Sequence, residues 1–531
     1  MNNQEVKNIS EDHKKPTLVL LTIFIWGLLI YIVIWPWIHQ IDKFDVYFSI
    51  LTHISAAIWW SVLLWALHHM SFQIISMFKK ANFQENKKNE RTPIAILFTT
   101  CDDFNLEYLK SCLDQDYDNF RVYVCDDSKL PEYKDSISKF CKKNAKKCVL
   151  VTRANNKGFK AGNLNNALEN IIIEDWILLV DSDQFLPSNY LSKLVSNFPK
   201  DKSDIAFIQY AHQSVLSEEN SPFQTALSPG ITLYYFRDMM YRENFGLVPM
   251  LGHGAMISRS AWDSIGGFPE VVSEDFAFAL RSIAKGFRGV YNANNISYES
   301  FPFDFGGFMV RLRKFASGTA ELIRREVPRF LLSPAHFVEK WDLLMMLIWY
   351  PLMLFVTING FLGAYVCHKL WEDGLPYLHP VLPYIYTWFL LSIFALHLSI
   401  TKGVSSAIKF YFWSTAIYTA ATPIAGLSFW RHIFTKPTFN RTPKNQEKTK
   451  LGILGPIFMV ALGFFALFYS YNWISPFSPL LAGQGIAYIS YPLYSKLNSD
   501  SLLGSFSRVI VYIPGLFMII AIYAMWKWGT Y

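Results

Sequence analysis

Long uncharged apolar runs stand near both ends of the chain and enclose a middle part in which charged and apolar residues are interspersed. Thr17–Ile38 and Val46–Leu67 contain no Asp, Glu, Lys or Arg. A helix needs about 20 apolar residues to cross a bilayer, so both runs predict membrane spans. Later runs predict four more spans: Leu343–Val366, Val381–Ile400, Leu451–Ile474 and Val509–Trp526.

Basic residues set the predicted topology. Residues 431–450 carry six Lys or Arg against one Glu, and residues 79–91 are also rich in cations. Cytosolic loops carry such an excess, so both stretches are expected inside the cell. Ser405–Trp430 is apolar but holds Lys409, and a crossing there would move 431–450 outside. We therefore predict an interfacial or re-entrant helix at Ser405–Trp430.

These patterns divide the chain into four parts. They are a cytosolic tail at 1–16, two spans with an interfacial segment at 17–80, a cytosolic domain at 91–330, and four spans at 331–531 that include the helix 405–430 and the basic segment 431–450. The expected location is a multi-pass position in the plasma (inner) membrane.

The middle domain has an α/β pattern. Pro93–Thr99, Phe120–Cys125 and Trp176–Val180 are short β-rich runs with helical patterns between them, which predicts a mostly parallel sheet. Ligands bind where such strands end at their carboxyl side. Asp126-Asp127 follows the second run and Asp181-Ser182-Asp183 follows the third.

Two carboxylates at one strand end can bind a hard divalent cation that also holds phosphate oxygens. Asp181 and Asp183 therefore fit chemistry on a nucleotide diphosphate with a bound divalent cation, although such residues also shape turns and cap helices. Lys157–Asn163 precedes a helical pattern and can offer backbone N–H groups and Lys160 to phosphate. By itself it is only a glycine-containing helix start.

Two later motifs carry further polar groups. Gly252-His253-Gly254-Ala255 precedes an apolar segment, and Ser273-Glu274-Asp275 precedes a helical pattern. An acidic pair at a helix start is commonly a cap, stabilised by the helix dipole. In a sugar-transfer site such a carboxylate can instead take a proton from an attacking hydroxyl.

Composition excludes some protein classes. The chain has 531 residues, of which 52% are apolar and 17% charged, and its 44 Phe, 28 Tyr and 17 Trp exclude intrinsic disorder. A transporter usually places ionisable residues in its spans, and the predicted spans hold almost none beyond His53 and His397. A catalytically inactive scaffold is less expected, because Asp183 and Asp275 are both present.

Taken in order, these motifs resemble those of the membrane-embedded family 2 glycosyltransferases, the group of cellulose, chitin and hyaluronan synthases. The resemblance covers residues 93 to about 450, and Phe439–Lys444 is similar to the gating loop of cellulose synthases, with Arg441 in place of Val. It implies an α/β fold in which a cytosolic GT-A domain, the nucleotide-diphospho-sugar transferase fold, is inserted between two spans before it and four after it.

The resemblance also implies roles for individual residues. Thr100 and Asp127 would hold the base and ribose, Lys160 the diphosphate, and Asp181 and Asp183 the sugar nucleotide and the metal, which would be Mg²⁺ or Mn²⁺. Asp275 would be the general base, with Glu274 as the next candidate.

The acceptor would be held by Arg311, Lys314 and Phe315, which stand where the family has Gln, Arg and Trp of Q-x-x-R-W. This departure puts the identity of the acceptor in doubt more than catalysis. Thr442 and Lys444 are the gating-loop matches.

The predicted function is an inverting, processive synthase that polymerises a β-linked polysaccharide from a UDP-sugar and exports it through its own spans. The alternative is a non-processive enzyme that adds one sugar to a lipid or short glycan. The expected partners are the nucleotide sugar, a growing glycan or lipid acceptor and membrane lipids, with room for an accessory subunit and no nucleic acid.

Overall fold

An eight-stranded mixed sheet forms the centre of the middle domain in the computed structural model, which describes residues 14–41, 44–78, 91–199, 203–215, 220–374, 382–437 and 452–528. The strand order is β3-β2-β1-β4-β7-β6-β8-β5. The strands are β1 Ile94–Thr100, β2 Phe120–Asp126, β3 Cys148–Val151, β4 Trp176–Asp181, β5 Gln184–Phe185, β6 Ile205–Ser214, β7 Ala255–Ser258 and β8 Arg288–Glu299.

The sheet is parallel over β3-β2-β1-β4 and then becomes mixed, because β7 runs antiparallel to both β4 and β6, and β5 runs antiparallel to β8. The pair β6–β8 is again parallel, so the predicted mostly parallel arrangement holds for four of the seven neighbouring strand pairs. The carboxyl ends of β1, β2 and β4 lie at one edge, so Thr100, Asp126 and Asp181 end neighbouring strands there.

Hydrophobic cores cover both faces of this sheet. In β1, Ile94, Ile96 and Phe98 face one core, and Ala95 and Leu97 face the other. A strand buried on both faces is apolar throughout, which is why β1 shows a continuous apolar run rather than an alternating pattern.

The helices divide by their position along the chain. Two precede the sheet: α1 Thr17–Ile41 and α2 Val46–Phe78. Those interspersed with the strands are α3 Leu106–Leu113, α4 Pro131–Lys143, α5 Phe159–Asn170, α6 Tyr190–Ser196, α7 Pro222–Leu227, α8 Pro229–Leu233 with a π-helical turn at Tyr234–Asp238, α9 Arg242–Phe245, α10 Arg259–Ile265 and α11 Glu274–Ala284.

The remaining helices follow the sheet. They are α12 Phe305–Arg325, α13 Val327–Leu331, α14 Phe337–Leu347, α15 Trp349–Glu372, α16 Leu382–Leu398, α17 Val404–Phe434, α18 Leu454–Asn472, α19 Ser478–Ile489, α20 Tyr491–Tyr494, α21 Leu502–Ile510 and α22 Ile513–Trp528.

Within the described residues, four stretches of helix are long and apolar enough to cross a membrane: Val46–Phe78, Trp349–Glu372, Leu454–Asn472 and Leu502–Lys527. Thr17–Val33 and Leu382–Leu398 are shorter apolar helices. The predicted run Leu343–Val366 is divided between α14 and α15, with the boundary at Ile348. The count of two spans before the domain and four after it stays a prediction.

The predicted interfacial stretch Ser405–Trp430 lies within α17, a 31-residue helix with Pro423 inside it. Ala416, Ala420 and Ala421 of α17 are fully buried. Small residues allow helix backbones to approach closely, and α17 packs against α12, α15 and α22. One hydrophobic core therefore joins a face of the sheet to the apolar helices. The interfacial position itself stays a prediction.

Candidate catalytic site

The candidate site lies where β1, β2 and β4 end. Asp181, the last residue of β4, accepts hydrogen bonds from Thr99 Oγ1 at 2.8 Å and from Lys160 Nζ at 2.7 Å. Thr99 stands opposite Asp181 in the β1–β4 register. The sheet therefore fixes one side of this carboxylate.

Lys160 enters the site from the first turn of α5. Its Nζ also donates to the Gly252 carbonyl oxygen at 2.7 Å. Burial opposes the positive charge, but the carboxylates of Asp181, Glu274 and Asp275 outweigh it and raise the pKa of Lys160 above its ordinary value. The ammonium group is thus charged and lies among acids drawn from two separate motifs.

The acidic pair Glu274 and Asp275 opens α11. Asp275 Oδ1 accepts from the Phe276 backbone N at 2.8 Å, so part of the predicted capping function is present. Burial raises the pKa of Asp275, and burial together with the adjacent Asp275 raises the pKa of Glu274 to about 7. A carboxylate whose pKa is moved towards neutrality is suited to accept a proton.

Helix α12 brings Lys314 towards the same acids. Burial lowers the pKa of Lys314, and the charges of Glu274, Asp181 and Asp275 act in the opposite direction. Arg311, one turn earlier, lies over the Phe301 ring with 4.6 Å between Cζ and the ring centroid. Phe315 is 47% exposed. Since successive helix residues are turned by about 100°, Phe315 does not share the direction of Lys314.

The Gly252-His253-Gly254 motif also belongs to this site. His253 Nε2 lies 2.7 Å from Glu299 Oε2 of β8. Gly252 has a φ of +81° and Gly254 a φ of +53°, a region that favours glycine. Sequence reasoning noticed the motif without a role for it, and it missed Glu299 because the pairing of β8 could not be foreseen.

Asp127 and Thr100 have partners of their own. Arg153 Nε and Nη2 donate to the two carboxylate oxygens of Asp127 at 2.8 and 2.6 Å, and Thr100 Oγ1 donates to Asp103 Oδ1 at 2.9 Å. Arg153 Nη2 also donates to the Phe159 carbonyl oxygen, so the ion pair connects the end of β2 to the start of α5. Sequence reasoning missed Arg153.

The predicted metal ligands are Asp181 and Asp183. Within the described part of the chain, no group of three or more His, Cys, Asp or Glu side chains is arranged to hold a metal. The two carboxylates fit a divalent cation only as a partial ligand set that diphosphate oxygens and water would complete. Both also lie close enough to His253 for their charges to raise its pKa.

The structure therefore brings together Lys160, Asp181, Glu274, Asp275 and Lys314. Phe315, on the same helix as Lys314, is exposed. Thr442 and Lys444 lie outside the described residues, so their predicted role is not addressed.

Residues 176–433 match the family model described as "Glycosyl transferase family group 2". The matched region contains β4 with Asp181, the Asp275 motif and the Arg311–Phe315 segment. The chain carries a family 2 glycosyltransferase domain. Its mixed sheet is GT-A-like, and the predicted fold class and the assignment to a hexosyltransferase family are confirmed.

Curated relatives agree with this assignment. The chain is 24% identical over 331 residues to a probable glycosyltransferase of Sulfolobus acidocaldarius. The aligned region covers 59% of this chain and 67% of that protein. It is 26% identical over 216 residues to glucomannan 4-beta-mannosyltransferase 1 of Oryza sativa subsp. japonica, covering 39% of this chain and 41% of that protein.

A third relative is the UDP-forming cellulose synthase catalytic subunit of Xanthomonas axonopodis pv. citri. It is 25% identical over 229 residues, covering 41% of this chain and 29% of that protein. The chain thus spans well under half the length of the last two relatives. Four stretches of helix in the described part of the chain are long and apolar enough to cross a bilayer, which indicates a membrane protein.

Proposed function

We propose that the chain is an inverting, processive glycosyltransferase that builds a β-linked polysaccharide from a nucleotide sugar on the cytosolic side of the membrane. The observation that carries this proposal is the buried charge cluster at the carboxyl edge of the sheet. Lys160 and Lys314 are interspersed there with Asp181, Glu274 and Asp275. Such a cluster can hold a diphosphate and an attacking hydroxyl side by side.

Lys160 and Asp275 have separate tasks in this reaction. Lys160, already charged in the free protein, stabilises the negative charge that develops on the departing diphosphate. Asp275 accepts the proton of the acceptor hydroxyl, whose oxygen forms the bond to the anomeric carbon as the bond to the diphosphate breaks. Attack from the side opposite the leaving group inverts the anomeric centre.

Asp181 and Asp183 would hold Mg²⁺ or Mn²⁺. A bound divalent cation neutralises charge on the leaving diphosphate. Before the nucleotide binds, Asp181 is hydrogen-bonded to Lys160, so this carboxylate orients the lysine in the free protein. Turnover undiminished by excess chelator, or by Asp183→Ala, would contradict the role of the metal.

A cavity of about 960 Å³ among the apolar helices supports export of the product. Trp59, Trp349 and Tyr418 supply aromatic faces to its wall. Asn359 and Gln484 also line the cavity. Their amide oxygens, Asn359 Oδ1 and Gln484 Oε1, have no hydrogen-bond partner in the described part of the chain. Unpaired amide groups are costly in such surroundings, so a polar ligand such as a glycan would satisfy them.

The second candidate is a non-processive enzyme that adds a single sugar to a lipid or short glycan. The observation that favours it is the 47% exposure of Phe315, which stands where the family has Trp and leaves much of its ring unpacked. A Phe ring offers less aromatic surface than a Trp ring on which to hold a growing chain.

The test uses the purified full-length protein in nanodiscs with UDP- and GDP-hexoses, Mg²⁺ or Mn²⁺, and sizing of the labelled product. A ladder of products sensitive to a β-specific glycosidase supports the first function, and a single-sugar product supports the second. Asp275→Asn is the inactive variant, and Asp263→Asn on the exposed surface of α10 is its matched control. No transfer from any donor would refute both functions.

A further inference from the structure

Residues Leu251–Gly254, here called the histidine loop, separate the proposed diphosphate lysine from the proposed base. The carbonyl oxygen of Gly252 accepts the hydrogen bond of Lys160 Nζ at 2.7 Å. A Cβ built on Gly252 would lie 2.7 Å from Asp275 Oδ2. The backbone of a single glycine is thus in contact with both groups that the proposed reaction needs.

The geometry of His253 defines its protonation. Its Nδ1 lies 3.0 Å from the Leu251 carbonyl oxygen, and its Nε2 lies 2.7 Å from Glu299 Oε2. Burial opposes ionisation of Glu299, but its bond to His253 outweighs burial and lowers the pKa of Glu299 to about 2. Both partners of the ring therefore accept hydrogen bonds, so both ring nitrogens donate and His253 is an imidazolium cation.

The groups around this cation come from several elements. Glu299 lies on β8, and the charges of Asp181 and Asp183 act on His253 from the end of β4 and the residues after it. His212 of β6 is tilted against the His253 ring, and burial lowers the pKa of His212 to about 3, so His212 is neutral. The single direct ionic contact of His253 among described residues is the one to Glu299.

The remaining bonds of the histidine loop hold its backbone on either side of Gly252. Gln209 accepts from the Leu251 N–H at 2.9 Å and donates to the His253 carbonyl oxygen at 3.1 Å. The Gly254 N–H donates to the Leu179 carbonyl oxygen at 2.8 Å and to Gln184 Oε1 at 3.2 Å. Glycine has wide conformational freedom, so the path of the backbone at Gly252 depends on how firmly the residues on either side are held, and the His253 side chain holds one of them.

We propose that the His253–Glu299 ion pair anchors the histidine loop to β8. The anchored loop thereby holds Lys160 Nζ and Asp275 Oδ2 in the relative position that sugar transfer requires. His253 acts through Gly252 and is a positioning residue. This inference rests on the proposed glycosyl transfer, and it assigns a task to a motif that the proposed function leaves unused.

The test compares His253→Gln and Glu299→Gln with Asp204→Asn in the full-length protein. Asp204 Oδ2 pairs with Arg288 Nε at 2.7 Å at the other end of β8. The side chains of Asp204 and Arg288 are 18% and 22% exposed, which is close to the 14% and 17% of Glu299 and His253. The control therefore removes an ion pair of similar burial from the same strand, away from the histidine loop.

We expect His253→Gln and Glu299→Gln each to lower kcat for transfer about 10- to 100-fold, since a misplacement of about 1 Å can cost 10²-fold. KM for the donor should change less, because Lys160 keeps its bond to Asp181. The double variant should be no slower than the slower single variant, because both remove the same contact. Asp204→Asn should keep kcat within about twofold. Wild-type kcat in His253→Gln would overturn the proposal.

Hydrogen exchange tests the same anchor without an enzyme assay. Amides of the histidine loop should exchange faster in His253→Gln and Glu299→Gln than in the wild-type protein, and Asp204→Asn should leave them unchanged. Unchanged exchange in both loop variants would overturn the positioning role. A wild-type protein that transfers no sugar from any donor would instead refute the proposed function, so the two failures are distinguishable.

Discussion

Replacement of Gly252 by alanine would place a methyl group against the carboxylate of the proposed base. The new Cβ would lie 2.7 Å from Asp275 Oδ2, whereas ordinary van der Waals contact begins at 3.4 Å. The two groups must therefore move apart by about 0.7 Å to reach ordinary contact. The Gly252 φ of +81° adds a backbone cost of about 1–2 kcal/mol for a residue with a side chain.

The expected loss of activity follows from this displacement. An error of about 1 Å in the placement of a reacting group can cost 10²-fold in rate, so Gly252→Ala should lower kcat about 10- to 100-fold. The measurement is the initial rate of sugar transfer from the donor identified in the nucleotide-sugar panel, together with thermal unfolding of each variant in nanodiscs.

Gly266 offers a matched control. Its φ is +77°, and a Cβ built there meets nothing within 4 Å. Gly266→Ala should therefore lose only the backbone part of the stability, about 1–2 kcal/mol, with kcat close to that of the wild-type protein. If Gly252→Ala kept the wild-type kcat, or if both variants lost activity equally, the contact between Gly252 and Asp275 would have no part in catalysis.

Four further predictions concern the acidic pair, a buried ion pair and the side of the membrane on which the domain lies. Asp275→Asn should keep nucleotide binding, measured by UDP titration, but lower kcat on the order of 10²-fold or more, because Asn caps a helix yet accepts no proton as a general base; near-normal turnover would make Asp275 structural. Glu274→Gln should raise Tm at pH 8 but not below pH 4.5. Folding raises the pKa of Glu274 from 4.5 to about 7, so ionisation of its carboxyl group destabilises the folded state as pH rises, and Gln removes that cost. Equal Tm differences at both pH values would contradict this. Asp342→Asn should lower the free energy of unfolding by about 3–5 kcal/mol, because it leaves the fully buried Arg242 without one of its carboxylate partners. Denaturant unfolding measures this loss. A loss below about 1 kcal/mol would show that Asp238, the other carboxylate partner of Arg242, compensates. A cysteine at Lys143 should stay unlabelled by an impermeant reagent in intact cells, and labelling there would place the domain outside.

The sequence alone determined the features that depend on neighbouring residues. An uncharged run such as Val46–Leu67 predicts burial in lipid, whatever the rest of the chain does, and it lies within one of the helices long enough to span. Asp181 ends a strand because the apolar run Trp176–Val180 stops there. The motif order also predicted the family 2 glycosyltransferase domain, since its residues lie in short consecutive segments.

Only the tertiary structure decided which of these segments meet. Lys160 and Asp181 are 21 residues apart, and His253 and Glu299 are 46 apart, and both pairs form because the strand order brings their elements together. Phe315 matched a motif by position, but only the packing around α12 decided that its ring is 47% exposed. A linear pattern records whether a residue is buried, whereas its partners depend on the arrangement of distant strands and helices, which no local pattern specifies.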